Sequence, residues 1–351
     1  MIASHEKPAS SEIRLFFRIE SSWYLQTEAL SSMASSMLRR NLKHGSGRLF
    51  RFTFRSFVFL LLFLTLLAVL PSIILHSRLR ILFSRGGRQE CVWLQGPPLV
   101  CAHGGDSSRA PPNTLLAYKL ALDAKVDCIE VDVSRTRDGV LVALHDRDLQ
   151  KFSMDQAMHV GELTIKQIKA LSVGLKTDNT AAKLSVPTLE ETLMFISRHV
   201  KEVIIDAKVG PPLYEENLAV DIMSVVKRTS CKNCLMWSKL DNLVMVYQRL
   251  YPEALTGYIV MNDTVTGQAT DLLRMKEPKV VGVYHGLVNK ELVAEVKRAR
   301  KKVHVWTVDN KQAMERMLYE NVDCIITSNP QALQETMFQI EEQCTEAGRL
   351  M

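Results

Sequence analysis

From Leu99 onward, short apolar runs rich in β-branched residues alternate with segments of helical length. This alternation constrains the fold of the 351-residue chain more than any other feature. Candidate strands fall at 99–103, 128–133, 141–145, 202–207, 234–238, 255–261, 279–284, 303–308 and 323–327. Helix-length segments lie at 113–124, 187–199, 215–228, 289–301 and 311–319. In 289–301, Leu292, Val293, Val296 and Ala299 recur at helical spacing between Lys and Arg. Repeated βα units build a parallel sheet with its helices outside, and about 240 residues of that pattern suit an α/β fold of the (β/α)8 TIM-barrel type. Nine strands are one too many, and the Thr136–Gly139 link leaves no room for a helix. The barrel is therefore expected to be irregular there, or one candidate strand to lie outside the staves. An open doubly wound sheet is the alternative, but it lacks a Gly-rich dinucleotide fingerprint.

Upstream of the βα pattern the character of the chain changes. Residues 57–75, FVFLLLFLTLLAVLPSIIL, carry no charge and as a helix would span about 28 Å, close to a bilayer's hydrocarbon core. More than 50 residues precede this run, which disfavours a cleaved signal peptide and favours an uncleaved transmembrane helix. Residues 1–90 hold 13 Lys/Arg against 5 Asp/Glu, so the overall net charge of +6 comes from this end. Beside an apolar span, that balance points to a membrane surface and not to nucleic acid. Arg39, Arg40, Lys43, Arg48, Arg51 and Arg55 precede the span, and Arg78, Arg80, Arg85 and Arg88 follow it. The excess on the N-terminal side predicts a cytosolic N-terminus and a lumenal or extracellular barrel. The expected organisation is a disordered, basic, Ser-rich segment at 1–56, a transmembrane helix at 57–75, a linker at 76–97, the barrel at 98–342 and a tail at 343–351.

The chemistry concentrates at strand ends, where a TIM barrel carries its catalytic groups. Glu130 and Asp132 are two residues apart in one strand and so face the same side. Two like charges aimed at one point, among Ile129, Val131 and Val133, call for a cation between them unless the strand is exposed and its carboxylates solvated. Oxygen-only ligation of this kind suits Mg²⁺ or Ca²⁺. His103 and His145 each close an apolar strand and fit core filling poorly; near neutral pH one imidazole can take a proton while the other gives one. Cys101, Cys128 and Cys324 fall within strand patterns and read as small buried hydrophobes. Cys231 and Cys234 have no second pair or nearby His for a zinc site and read as a loop disulfide or free thiols.

The words VCAHGGD (100–106), PPNT (111–114), CIEVDVSRTRDG (128–139), LVALHD (141–146), IIDAK (204–208), VHVWTVDN (303–310) and NVDCIITSNP (321–330) resemble the glycerophosphodiester phosphodiesterase family. The likeness is greatest to its plant membrane-anchored members. It implies metal-dependent hydrolysis of a glycerophosphodiester, a small-molecule substrate, to sn-glycerol 3-phosphate and an alcohol. Under it, one of His103 and His145 deprotonates the nucleophile and the other protonates the leaving oxygen. Asp206 joins Glu130 and Asp132 as a metal ligand where the family has Glu, Lys208 points at the phosphate, and Trp306 packs on the glycerol or floors the pocket.

Three positions depart from the family pattern: Gly104 replaces an Arg, Pro112 a Glu and Ser328 an Asp. Arg109, on the same loop as Gly104, is the expected substitute for the missing cation, and Gly104→Arg is expected to raise the rate if that cation is limiting. Two alternatives stand beside hydrolysis of small diesters. One is a catalytically weak membrane protein that binds phosphodiesters or lipid headgroups, and the other is a lysophospholipase D-type activity.

Overall fold

The computed structural model describes residues 57–67, 69–70, 73, 91–170, 186–262, 267 and 270–349. The chain divides into two compact units, residues 1–81 and residues 82–351. In the first, residues 57–67 are helical, and apolar side chains such as Phe59, Leu62 and Phe63 are exposed. Among the described residues no helix is long and apolar enough to cross a membrane. The expected disordered segment at 1–56, and most of the linker, lie outside the described residues.

The second unit is a closed barrel. Its staves are β1 (Leu99–His103), β2 (Cys128–Arg135), β4 (Glu202–Ala207), β5 (Cys234–Ser238), β6 (Leu255–Val260), β7 (Val280–Tyr284), β8 (Lys302–Trp306) and β9 (Cys324–Thr327). Each pairs in parallel with its neighbours, and the β1–β2 and β1–β9 pairings close the ring. The ninth candidate strand resolves as β3 (Leu141–Ala143), which pairs antiparallel with β2 alone among the strands and stands outside the staves. The turn between them accounts for the missing helix. Thr136 donates its backbone N–H to Val140 O, and Gly139 takes φ +83°.

The expected helices are present as α1 (Leu115–Asp123), α4 (Leu189–Ile196), α5 (Leu218–Arg228), α7 (Lys290–Arg298) and α8 (Lys311–Tyr319). Their starts follow capping chemistry: Thr114, Thr188, Asn289 and Asn310 each accept a backbone N–H from the first turn. Helices α2 (Asp146–Ser153), α3 (Ile165–Ala170) and α6 (Asp241–Leu250) fall outside the expected segments, as does the last one. The last helix, α9 (Pro330–Arg349), runs through the stretch expected to be a tail. Cys344 on α9 is disulfide-bonded to Cys91, just before a 3₁₀ turn at Val92–Gln95 whose Trp93 is buried. The packed domain therefore begins before residue 98 and ends after 342.

Apolar side chains fill two shells, one between staves and helices and one inside the ring. The inner shell includes Ile204, Leu235, Trp237, Ile259 and Ile326. A Cβ on Gly282 would come within 2.5 Å of the Trp237 ring, so the bare backbone of β7 is what lets that indole lie inside the barrel.

Candidate active site

The period of two along each stave sends alternate residues inward, and at the C-terminal end these are the charged ones. Asp132 and Asp206 are direct partners across β2 and β4. Carboxylate oxygens of Glu130, Asp132 and Asp206 lie within 4.8 Å of one another, and all three residues are buried. Lys208, just past β4, sits among them. Its Nζ is 2.7 Å from Asp132 Oδ1 and also hydrogen-bonds Asp206 Oδ2.

Neighbouring loops hold each carboxylate in place. The backbone N–H of Gly104 donates to Glu130 Oε2 at 3.0 Å. Asn113 donates through Nδ2 to Asp132 Oδ2 at 2.8 Å and accepts through Oδ1 from Asp132 N and from the Tyr118 hydroxyl. Asp206 Oδ1 is buried with no hydrogen-bond partner. A cluster of three acids with an orphaned oxygen fits a hard divalent cation.

The electrostatics sort the three groups. Burial and the neighbouring Asp132 push the Glu130 carboxyl well above the ordinary range. Burial acts in the same direction on Asp132, but Lys208, His103, His145 and Arg147 outweigh it and hold that carboxylate charged. Lys208 stays firmly protonated because Asp132, Asp206 and Glu130 together outweigh its desolvation.

His103 and His145 line the same cavity with Glu130, Asp206, Lys208 and Trp306. His103 ends β1, and burial lowers its pKa. His145 lies beyond β3, not on a stave, and caps α2 by accepting the Arg147 backbone N–H at its Nδ1 (3.1 Å). Burial and Lys208 bring its pKa down to about 4. The next residue, Asp146, accepts from Val160 N (2.8 Å) and pairs with His159 Nδ1 (2.9 Å), fastening this segment to the loop that follows. Trp306 presents an unpartnered Nε1 and packs edge-on against Tyr284.

Arg109 is not brought to the cavity. Its guanidinium pairs with the buried Asp106 of its own loop and reaches Leu120 O. Two other cations line the cavity, Arg147 and Lys239, and neither was singled out in the sequence. Arg147 Nη2 approaches Asp132 Oδ2 at 3.7 Å, and Lys239 Nζ lies 5.6 Å from the centre of the Trp306 ring. The only sequence signal for Arg147 was its place two residues after His145 on a helix start.

A profile of the glycerophosphoryl diester phosphodiesterase family matches residues 103–332. The chain belongs to this family. It is 48% identical over 294 residues to glycerophosphodiester phosphodiesterase GDPD4 of Arabidopsis thaliana, a match covering 84% of this chain and 88% of that one. A glycerophosphodiester phosphodiesterase of Caldanaerobacter subterraneus is 31% identical over 236 residues, 67% of this chain and 96% of its own. The fold is shared with an Oleispira antarctica phosphodiesterase solved in complex with the product sn-glycerol 3-phosphate. That match has 23% identity and a TM-score of 0.60, and covers 68% of this chain and 96% of the other. It is shared equally with a Parabacteroides distasonis glycerophosphodiester phosphodiesterase, at 23% identity and a TM-score of 0.57, over 70% of this chain and 98% of the other.

In this glycerophosphodiester phosphodiesterase two of the departures from the family pattern meet in space. Gly104 has φ +63°, and a Cβ there would lie 2.9 Å from Pro112 Cβ. The two positions are therefore neighbours, and the expectation for Gly104→Arg reverses. That variant is expected to lose activity, because the new side chain meets Pro112 and strains a left-handed backbone. Adding Pro112→Gly, which removes the Cβ that the new side chain meets, is expected to recover part of the loss. A double-mutant cycle on kcat/KM checks this, and additive effects would show the two positions to be independent.

Proposed function

We propose that this chain hydrolyses glycerophosphodiesters to sn-glycerol 3-phosphate and an alcohol at the barrel mouth. The observation that carries the reading is a single cavity lined by both histidines, by Lys208 and by the buried acidic triad. Glu130, Asp132 and Asp206 are the residues that would hold a divalent cation, Mg²⁺ or Ca²⁺. Such an ion, when bound, polarises a phosphate oxygen and lowers the pKa of a coordinated hydroxyl or water. Lys208 and Arg147 supply fixed positive charge toward the phosphate, the role that Gly104 cannot fill. Trp306 offers an apolar face and an N–H donor to the substrate.

The hydrogen bond that His145 Nδ1 accepts from Arg147 N places the ring proton on Nε2. One of His103 and His145 takes the proton of the attacking hydroxyl, and the other, protonated once the substrate is bound, gives a proton to the leaving alcohol oxygen. Burial lowers the pKa of both imidazoles, and a bound phosphodiester anion raises them toward the working range.

Release of glycerol 3-phosphate from glycerophosphocholine and related diesters, measured with Mg²⁺, with Ca²⁺ and with chelator, tests the reading. Metal-dependent release is expected. A folded, metal-binding protein that releases nothing would instead be the headgroup-binding membrane protein.

The membrane-anchored plant subtype, with an anchor at 57–75 and the barrel on the lumenal or extracellular side, is part of the same proposal. Its support is the charge asymmetry about the apolar run and the reach of the plant match. Those 294 residues exceed the length from Cys91 to the C-terminus, so the likeness extends into the N-terminal unit. The Cys91–Cys344 and Cys231–Cys234 pairs favour an oxidising compartment for the barrel.

A further inference from the structure

The opposite end of the barrel interior contains a second cluster of reactive groups that hydrolysis does not use. Cys101, Cys128 and Cys324 converge from β1, β2 and β9, with their sulfurs within 4.8 Å of one another, and none is exposed. Glu202, the strand partner of Cys128 on β4, and His304, the strand partner of Cys324 on β8, lie beside this group. His304 Nδ1 is 3.5 Å from Glu202 Oε1. His304 is 0% exposed and Glu202 7%, yet both His304 nitrogens and Glu202 Oε1 lack hydrogen-bond partners. Polar groups this deeply buried and unpartnered are costly, and a cation among them removes the cost.

In the structure Cys101 and Cys128 are disulfide-bonded and Cys324 is a free thiol. The two positions are direct partners on adjacent parallel strands, with Cα atoms 4.2 Å apart. The Cα spacings of Cys91–Cys344 and Cys231–Cys234, 6.0 and 5.7 Å, fall within the usual disulfide range, whereas 4.2 Å lies just below it. Three sulfurs beside a nitrogen and a carboxylate match the soft, closed donor set of structural zinc sites.

We propose that the reduced cluster is a second metal site. There the thiolates of Cys101, Cys128 and Cys324, with a fourth donor from the Glu202–His304 pair, enclose one thiophilic divalent cation of the zinc class. Opening the disulfide takes two electrons and two protons from a dithiol, which becomes a disulfide itself. Binding the cation then releases the protons of the three thiols. The three sulfurs and His304 are fully buried, so reduction by the dithiol and loading of the metal both take place during folding, before the barrel closes around them. The site is independent of the acidic triad at the mouth, which takes a hard cation.

The test uses the full-length protein, produced and purified in the presence of a dithiol and treated with EDTA to empty the acidic triad. About one zinc per chain is expected to remain, by analogy with closed thiolate sites. Cobalt supplied in place of zinc is expected to give thiolate-to-cobalt charge-transfer absorption, which oxygen ligands cannot produce. Cys324→Ser is expected to lose both signals, and if that variant fails to fold, the wild-type cobalt spectrum decides alone. Absence of retained zinc and of the charge-transfer band overturns the proposal. So does peptide mapping that finds Cys101 still crosslinked to Cys128 in the dithiol-purified protein.

Discussion

His103→Ala is expected to lower kcat on a natural glycerophosphodiester by about 10²–10⁴, the usual contribution of one general acid or base. His145→Ala should lose a similar factor, and both variants should keep their affinity for the divalent cation, since neither ring belongs to the acidic triad. The leaving group separates the two roles. With a glycerophosphodiester of p-nitrophenol, whose anion departs without help, the variant that lacks the general acid is expected to regain most of its lost rate while the variant that lacks the base stays slow. Recovery of one variant alone assigns the acid, and equal recovery would show that the two histidines do not divide the roles.

Lys208→Met carries the largest expected effect on stability. Lys208 is 2.7 Å from the buried Asp132 and also pairs with Asp206. Removing the cation leaves two buried carboxylates facing each other, while Glu130 holds its proton. Breaking a buried pair in this way costs about 3–5 kcal/mol, which for a domain of this size lowers the melting midpoint by on the order of 10 °C. Saturating Mg²⁺ should return about 2.7 kcal/mol at a hundredfold excess over Kd, because the ion replaces the missing charge. Thermal melts with and without Mg²⁺ measure both quantities. A variant indifferent to Mg²⁺ would show that the triad is not the metal site. Turnover should fall in the same variant, since Lys208 also faces the phosphate.

The staves were legible in the sequence because each is largely buried, so it reads as a short run dominated by apolar residues and bounded by turns. Their eight positions agree with the structure to within two residues, and the surplus ninth is the short β3. The helix α2 was not legible. Its sequence DRDLQKFS is mostly polar, with too few apolar residues for a periodic signal. At the site, the residues that project from stave ends were found because strand geometry dictates their direction. Loop residues have no such rule. Arg109 was misassigned since the buried Asp106 captures it, whereas Arg147 and Lys239 enter the cavity from positions that no pattern marks. Cys91 and Cys344 are 253 residues apart, and their pairing depends on closure of the whole ring.

The hairpin that carries β3 divides the catalytic apparatus between two kinds of support. His103, Glu130, Asp132 and Asp206 ride on staves held by a ladder on each side, and none of them moves without breaking the ring. His145 is carried past a three-residue strand that pairs with one stave, reinforced by a single bridge from Val142 to Thr188 and by the Asp146 contacts to His159 and Val160. The metal-holding half thus rests on the ring itself, and His145 on a hairpin attached to it. Drift in the length or composition of that hairpin can retune the proton transfer at His145, and which alcohol fits, while ion affinity stays constant.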